Sequence, residues 1–325
     1  MKKRFKHDNL NIFIENLKTL FPMDFPTIEK GLRRERPTTF RLNSSKTSIE
    51  TVKKDLNNEG FEFISGPFKN SYILTKIPDG KYISDTNSFK NADIYIQELA
   101  SMVPPLVLNP KQDEKILDMA SAPGSKTTQM VDMTNDKAEI LALEKHPIRI
   151  QTLQHNIKQF GAESVQVLLT NGIKFDMRYP QFKEFFDRIL VDAPCSSEGR
   201  FNLNDPKSYK FWNIHKRKDM TKIQKGLIIA GIRMLKPGGT LVYSTCTFGI
   251  EENELVLEWL LQKYPDLKVE KIDTSENGIN IKNVKKGFTK TPEGKDLNKQ
   301  IANSIRIMPN ENFGGFFVAK IKKII

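Results

Sequence analysis

The chain has 325 residues and a formal charge of +12 at pH 7, with 28% charged and 38% apolar side chains. That balance excludes a disordered polymer and provides apolar surface for about two domains. No run approaches the roughly 18 apolar residues of a membrane helix. The basic start, Met1–Lys6, leads into Asp8, Asn9, Asn11 and Glu15 rather than into an apolar signal segment. Two cysteines and four scattered histidines exclude a disulfide framework and a structural zinc spacing. The expectation is a reducing, cytoplasmic setting with no metal and no membrane. The surplus of positive charge points to a polyanionic partner.

In chain order, helices are predicted over Asn11–Leu20 and Thr27–Arg34, then a strand at Thr38–Leu42. A helix opened by Ser48 or Thr51 and strands near Phe61–Ile64 and Ser71–Thr75 follow. This first part, residues 1–93, reads as a small α+β unit, and residues 94–325 as a second domain. A helix over Ile96–Leu106 leads into the latter. Lys115–Ala120, Glu139–Glu144, Ser164–Thr170, Phe186–Asp192 and Thr240–Thr245 read as short buried strands alternating with helices. Pro147 suits a helix first turn, Ile150, Leu153, Ile157 and Phe160 form one stripe, and Gly161 supplies the stop. A helix over Met220–Leu235 ends at Lys236-Pro237-Gly238-Gly239, a terminator and turn. A hairpin is predicted from Ser304–Met308 and Gly315–Lys322, and residues 266–300 read as an insertion or mobile loop. The fold class is α/β, a mostly parallel sheet covered by helices with an antiparallel hairpin at the end.

Asp118-Met119-Ala120-Ser121-Ala122-Pro123-Gly124-Ser125-Lys126 is a strand end, a turn of small residues and a helix start. Small side chains let backbone amides approach a ligand, and a helix N-terminus favours a carboxylate or phosphate. The single glycine excludes the dinucleotide G-x-G-x-x-G pattern, which argues against a Rossmann oxidoreductase. Glu144, some 20 residues beyond the loop, is placed to accept both hydroxyl protons of a ribose.

Cys195 follows the apolar run Ile189–Val191 and Asp192, and Cys246 follows Leu241-Val242. Both cysteines therefore fall just past the C-terminal ends of predicted parallel strands, the edge at which doubly wound folds place ligands. A lone cysteine there would be a small buried hydrophobe. Two, beside an aspartate and several hydroxyls, point to nucleophilic chemistry. The residues alone leave open which thiol attacks.

Asp118–Gln129 (DMASAPGSKTTQ), Asp192–Ser196 (DAPCS) and Ser244–Thr247 (STCT) resemble, in order and spacing, the motifs of the Sun/Fmu-type (RsmB/RsmF-like) RNA (cytosine-5) methyltransferases. Tyr95–Met102, Arg306 and Gly314–Ala319 fit the same pattern, so the similarity spans roughly residues 38 to 320. The resemblance implies a Rossmann-like class I S-adenosylmethionine-dependent methyltransferase domain behind a small N-terminal RNA-binding unit. It implies that Cys246 adds to C6 of a cytosine, activating C5 for methylation, and that Cys195 assists release of the product. Asp192 is implied at the cytosine edge, at the cofactor, or at both. Ala120, Ser121, Ala122, Pro123, Gly124, Ser125 and Lys126 would hold the methionine part, Glu144 the ribose, with Arg149 nearby. Where the family carries an aspartate for the adenine, this chain has Asn171, which keeps an acceptor without the charge.

Residues 200–225 hold eight basic side chains against Asp205 and Asp219. Phe201, Tyr209, Phe211 and Trp212 are interleaved with them. These cations, Arg200, Lys207, Lys210 and Arg217 among them, are expected to meet phosphates, and the aromatic residues to join the core. A second cluster over Lys30–Arg36, including Arg33 and Arg34, with Arg41 and Lys46 beyond it, offers further phosphate contacts. The expected partner is rRNA or tRNA, a monomer suffices for the chemistry, and the target base must be swung out of its stack. The alternatives are methylation of DNA and an RNA-binding assembly factor that keeps the fold without the reaction.

Overall fold

A computed structural model of the chain describes residues 4–275, 279 and 281–324. Helices α1 (Arg4–Leu20) and α2 (Phe25–Arg33) come first. Then follow β1 (Thr39–Leu42), α3 (Ile49–Asn58), β2 (Glu62–Ser65), β3 (Ser71–Lys76), α4 (Asn87–Lys90) and β4 (Ile94–Ile96). Ser48 caps α3 by accepting from the Thr51 N–H, and Thr86 caps α4 through Phe89, each satisfying a donor the first turn leaves orphaned. The four strands make one antiparallel sheet in the order β2-β3-β1-β4. Val52 and Leu56 of α3 pack on its Phe40, Leu42, Leu74 and Ile94. The predicted division at Ile94 thus falls on the first residue of the strand that completes this sheet.

The helix predicted from Ile96 instead begins at Leu99, as α5 (Leu99–Leu108), because Ile94–Ile96 are taken up by pairing with Phe40–Leu42. Pro105 has no N–H to offer the Ser101 carbonyl one turn back. The Gln97 side-chain amide donates to that carbonyl at 3.2 Å in its place.

The larger sheet contains β5 (Lys115–Asp118), β6 (Glu139–Glu144), β7 (Val165–Leu169), β8 (Phe186–Asp192) and β9 (Leu235–Thr245), all parallel. Between them lie α6 (Ser125–Met133), α7 (Pro147–Phe160), α8 (Phe175–Arg178) and α9 (Lys216–Met234). After α10 (Glu254–Lys263) come β10 (Leu267–Glu270), β11 (Val284–Lys286), β12 (Ile305–Ile307) and β13 (Phe316–Lys323), joined by antiparallel pairing. The order is β11-β12-β13-β9-β8-β5-β6-β7, with β10 also beside β13. This is the expected Rossmann-like sheet with its antiparallel end. The chain runs outward from β5 through β6 and β7, then crosses back to β8 and β9. The strand order therefore reverses between β5 and β8, where the loops at the strand ends diverge and open a crevice.

Two local expectations change. Pro237-Gly238-Gly239 is a bulge within β9 rather than a turn before it: Leu235 pairs with Phe186 and Thr240 with Arg188, and Gly238 at φ +73° absorbs the slack. Residues 266–300 contribute β10, β11 and the core residues Leu297 and Ile301, so much of this stretch is integral to the domain. Residues 276–278 and 280 of it lie outside the described residues.

Helices α1 and α2 do not pack on the small sheet that follows them. Phe13, Leu17, Phe21, Ile28 and Leu32 form a core with Phe201, Leu203, Trp212, Phe248 and Met308. The N-terminus is thereby tied to the segments that carry the two cysteines.

Candidate active site

The turn after β5 is held from several sides. Ser121 Oγ donates to the Asp118 carbonyl at 2.9 Å, Arg149 to the Ala122 carbonyl at 2.5 Å, and Asn156 to the Pro123 carbonyl at 2.8 Å. Gly124 adopts φ +108°, the left-handed region in which a side chain is strained, and a Cβ there would lie 3.1 Å from Leu153 Cδ1. Asp118 is buried, and burial foremost pushes its carboxyl up to about 6, while Thr127 Oγ1 donates to it at 2.7 Å. Ala120, Ser121, Ala122, Pro123, Ser125 and Lys126 line a cleft of about 550 Å³, and Gly124 stands at the N-cap of α6 behind it. Tyr95–Glu98 also line the cleft.

Lys126 does more than line this cleft. Its Nζ lies 2.7 Å from Asp192 Oδ2 and donates to Ser101 Oγ at 2.7 Å. Ser244 Oγ donates to the other oxygen of Asp192, also at 2.7 Å. The aspartate is thus fixed in orientation and charge-compensated at the cleft floor.

Glu144, buried at the end of β6, accepts from the Lys145 and His146 N–H groups with one oxygen, at 2.8 and 2.9 Å. The other oxygen lies 3.5 Å from Arg149. Glu144, Arg149, Thr170 and Asn171 line a second hollow that shares Ala120 and Pro194 with the main cleft. Asn171 Oδ1 already accepts from the Ile173 N–H at 3.1 Å, capping the next turn. One of its two lone pairs is therefore in use.

Because β8 and β9 are adjacent and in register at Asp192 and Ser244, the loops that follow bring the cysteines together. Their sulfurs are 3.3 Å apart and both line the cleft. Hydrogen bonding to Cys246 first, and burial second, raise the Cys195 thiol well above its ordinary range. The same bond, with Cys195 as donor, lowers Cys246, and Ser197 and Arg200 act in the same direction. The thiolate form, which is the nucleophile, is favoured at Cys246.

Asn253, Glu254 and Glu198, which hold this arrangement, carry no signal when read singly. Thr245 Oγ1 donates to Asn253 at 2.5 Å, and Asn253 donates to the Thr247 carbonyl at 3.0 Å, so one side chain straddles Cys246. Glu254 forms a buried ion pair with Arg306, whose guanidinium also donates to the Phe248 carbonyl at 3.0 Å. Glu198 is paired with Arg217 at 2.8 Å and accepts from Trp212 Nε1 at 3.0 Å. For Asn253 and Glu254 the available signal is Glu252-Asn253-Glu254, three polar residues leading into the largely apolar α10.

The backbone at Gly199 donates to the Cys246 carbonyl at 2.9 Å and accepts from Gly315 at 2.9 Å. A Cβ on Gly199 would sit 1.9 Å from the Gly315 carbonyl oxygen, leaving no room for a side chain. Gly199→Ala is expected to lower stability by about 1–3 kcal/mol through forced backbone displacement. Urea unfolding measures this, and an unchanged midpoint would contradict it.

Arg200 lines the cleft. Its segment is docked to the end of α2: Leu203 N–H donates to Leu32, Asn204 to the Arg33 carbonyl at 2.7 Å, and Arg36 to the Arg200 carbonyl at 3.1 Å. The two basic clusters, distant in sequence, thus form one face with Arg33, Arg34, Lys207 and Lys210 exposed on it. Arg33 and Arg34 are also in surface ion pairs, with Glu29 and Glu311.

Two expected phosphate contacts are not on any surface. Arg41 is buried between β1 and α6, donating to Gln97 and Thr128, and Arg217 is buried against Glu198. Both are cations whose partners are remote in sequence. Phe201 and Trp212 join the core as expected, but Phe211 is 74% exposed, with Lys210 over its ring. Among the described residues no group of three or more His, Cys, Asp or Glu could hold a metal ion, and no helix is long and apolar enough to cross a membrane.

Residues 105–322 match the family model of the 16S rRNA methyltransferases RsmB/F. The chain belongs to this family. It is 38% identical over 297 residues to a tRNA (cytosine(49)-C(5))-methyltransferase of Pyrococcus abyssi, covering 89% of this chain and 88% of that one. It is 32% identical to ribosomal RNA small subunit methyltransferase F of Aeromonas salmonicida, covering 80% of this chain but only 56% of the relative. A crystal structure of a methyltransferase homolog protein from Pyrococcus horikoshii superposes with a TM-score of 0.80 at 31% identity, over 96% and 94% of the two chains. In this RsmB/F family member, then, the two thiols, Asp192 and the turn after β5 converge on a single cleft.

Proposed function

We propose that this RNA cytosine-5 methyltransferase takes its methyl group from S-adenosylmethionine and attacks cytosine C6 with Cys246. One observation carries the reading: Cys246 is the thiol of a 3.3 Å pair that is pushed towards the thiolate, and it faces the cleft beside a fixed Asp192. The residues fit the cofactor. Glu144 offers a carboxylate suited to a ribose diol, and Ile173, Leu227 and Pro194 give the same hollow an apolar lining against which a flat base can pack. Ser121 to Gly124 and the start of α6 suit a carboxylate. Asn171 is the acceptor for the adenine amino group through its remaining lone pair. When bound, the cofactor supplies an electrophilic methyl group.

Every other step belongs to the chain. Cytosine C5 is a poor nucleophile, so the ring is activated first. The Cys246 sulfur bonds to C6, and the C5=C6 electron pair moves to C5, which accepts the methyl group. Removal of the C5 proton then returns the pair to the ring and breaks the S–C6 bond. Cys195, 3.3 Å away, is the group placed to assist that release: once the Cys246 sulfur is bonded to carbon, the charge that held the Cys195 proton is gone, that proton passes to solvent, and the Cys195 thiolate takes the C5 proton. Asp192, held by Lys126 and Ser244, accepts from the cytosine amino edge. A cleft of about 550 Å³ lies within the range of small-molecule sites, which suits a base extruded from its stack.

Phosphates on either side of that base meet Arg200, Lys207 and Lys210, with Arg33 and Arg34 on the same face. The site is complete within one chain, so a monomer suffices, and a cytoplasmic setting keeps both thiols reduced. Affinity for RNA is expected to fall steeply with salt. Lys210→Ala should reduce the slope of log affinity against log salt by about 0.7 to 1 with little change in sequence preference. An unchanged slope would remove Lys210 from the contact surface.

The reaction is tested by incubating labelled S-adenosylmethionine with tRNA, rRNA and DNA and digesting each to nucleosides. Labelled 5-methylcytidine from RNA supports the reading. Label in DNA alone, or none with any RNA, would overturn it, the latter in favour of an assembly factor.

A further inference from the structure

Three glutamates are fully buried around the cysteine loops: Glu198, Glu252 and Glu254. Burying a carboxylate is costly unless it is paired. Glu198 has Arg217 and Glu254 has Arg306. Glu252 has neither: among the described residues, no basic nitrogen lies within 4.0 Å of its carboxylate. Its partners are neutral. Ser196 N–H donates to one oxygen at 3.0 Å, Ser196 Oγ to the other at 2.5 Å, and the Gln224 amide donates at 2.9 Å.

These partners lie on both sides of one cysteine. Ser196 follows Cys195 directly, and the Gln224 amide also donates to the carbonyl of Pro194, which precedes it, at 2.9 Å. Towards Cys246 the link is longer, running from Ser196 Oγ to Thr247 Oγ1 at 2.6 Å. The unpaired carboxylate is thus fastened to the Cys195 loop and only relayed to the Cys246 loop.

We infer that Glu252 is a positioning residue that decides which of the two thiols carries negative charge, by holding an uncompensated carboxylate against the Cys195 loop. A negative charge there disfavours a second one on Cys195, so the shared proton stays on Cys195 and the thiolate is Cys246. This rests on the reading of Cys246 as the nucleophile and adds what selects it.

The groups facing Glu252 are Cys195 and Glu198 from the loop after β8, Tyr243 from β9 and Arg217 from α9. Glu198 and Arg217 neutralise each other, and burial keeps Tyr243 protonated. Burial first, and Glu198 among the lesser causes, push Glu252 up to about 7. The discrimination is therefore expected to strengthen as Glu252 ionises through neutrality.

The test is the relative rate at which iodoacetamide alkylates the two cysteines of the full chain, read by peptide mass spectrometry. In the wild type Cys246 should react faster, and its advantage should grow about tenfold from about pH 6 to about pH 9, equivalent to one unit of coupling. Glu252→Gln should lower the advantage at about pH 8 by a similar factor and flatten its pH dependence, whereas Glu252→Asp should restore it. The wild-type pH series needs no variant, so a misfolded substitution does not spare the proposal. A ratio flat with pH and unchanged in Glu252→Gln would overturn the role of Glu252 alone. Equal alkylation of both thiols in the wild type would overturn the assignment of Cys246 itself.

Discussion

Replacing Cys246 with alanine is expected to abolish the covalent adduct formed with RNA containing 5-azacytosine and to reduce turnover by about 10⁴-fold or more, the scale seen when a covalent nucleophile is removed. The size follows from the chemistry: without sulfur at C6, nothing moves an electron pair onto C5, and neither Asp192 nor Lys126 can supply one. The substitution removes one atom from a partly exposed position, so the fold should survive it, and thermal unfolding serves as the control. Cys195→Ala should behave oppositely, still forming the adduct but releasing it slowly, so that a protein–RNA species accumulates with ordinary cytosine. A denaturing gel distinguishes the two. An adduct that persists in Cys246→Ala and vanishes in Cys195→Ala would reverse the roles of the thiols.

The second large effect concerns stability. Arg306 and Glu254 are 2% and 0% exposed, and the guanidinium lies 4.6 Å from the Phe288 ring centroid while donating to the Phe248 carbonyl. Arg306→Met fills much of the same volume but strands a buried carboxylate and a buried carbonyl. Breaking such a pair from one side costs about 3–5 kcal/mol. That is a large share of the 5–15 kcal/mol typical of whole domains. The urea midpoint should fall accordingly, and the double variant Arg306→Met, Glu254→Gln should recover part of the loss because no charge is then left alone. A loss below about 1 kcal/mol would mean that water reaches Glu254 and that the pair is not the clamp on the Cys246 loop.

The contrast among the buried charges shows what a sequence conveys and what it does not. That Asp192, Cys195 and Cys246 share one sheet edge is legible in the sequence because each stands at a strand end, and strand ends are written in local apolar runs. The turn after β5 and Glu144 were legible for the same reason. Arg41 and Arg217 look like surface cations in the sequence because nothing near them distinguishes them from Lys210. Their partners, Thr128 and Gln97 for one and Glu198 for the other, are fixed only when distant segments meet. Glu252 was missed for the same reason, since its meaning depends on Ser196 and Gln224 rather than on its neighbours. Phe211 erred in the other direction, an aromatic residue expected inside that the chain leaves in solvent.

The order of strands and helices, the turn chemistry and the presence of two thiols at one sheet edge were set by the sequence itself, since periodicity and glycine or proline punctuation act over a few residues. What the tertiary structure alone decided is the surroundings of each charge at the site. Whether a guanidinium faces phosphate or a buried carboxylate, and which sulfur keeps the shared proton, depends on the local dielectric and on partners brought in from elsewhere in the chain. Both are properties of packing, because the energy of a charge is governed by what surrounds it in space.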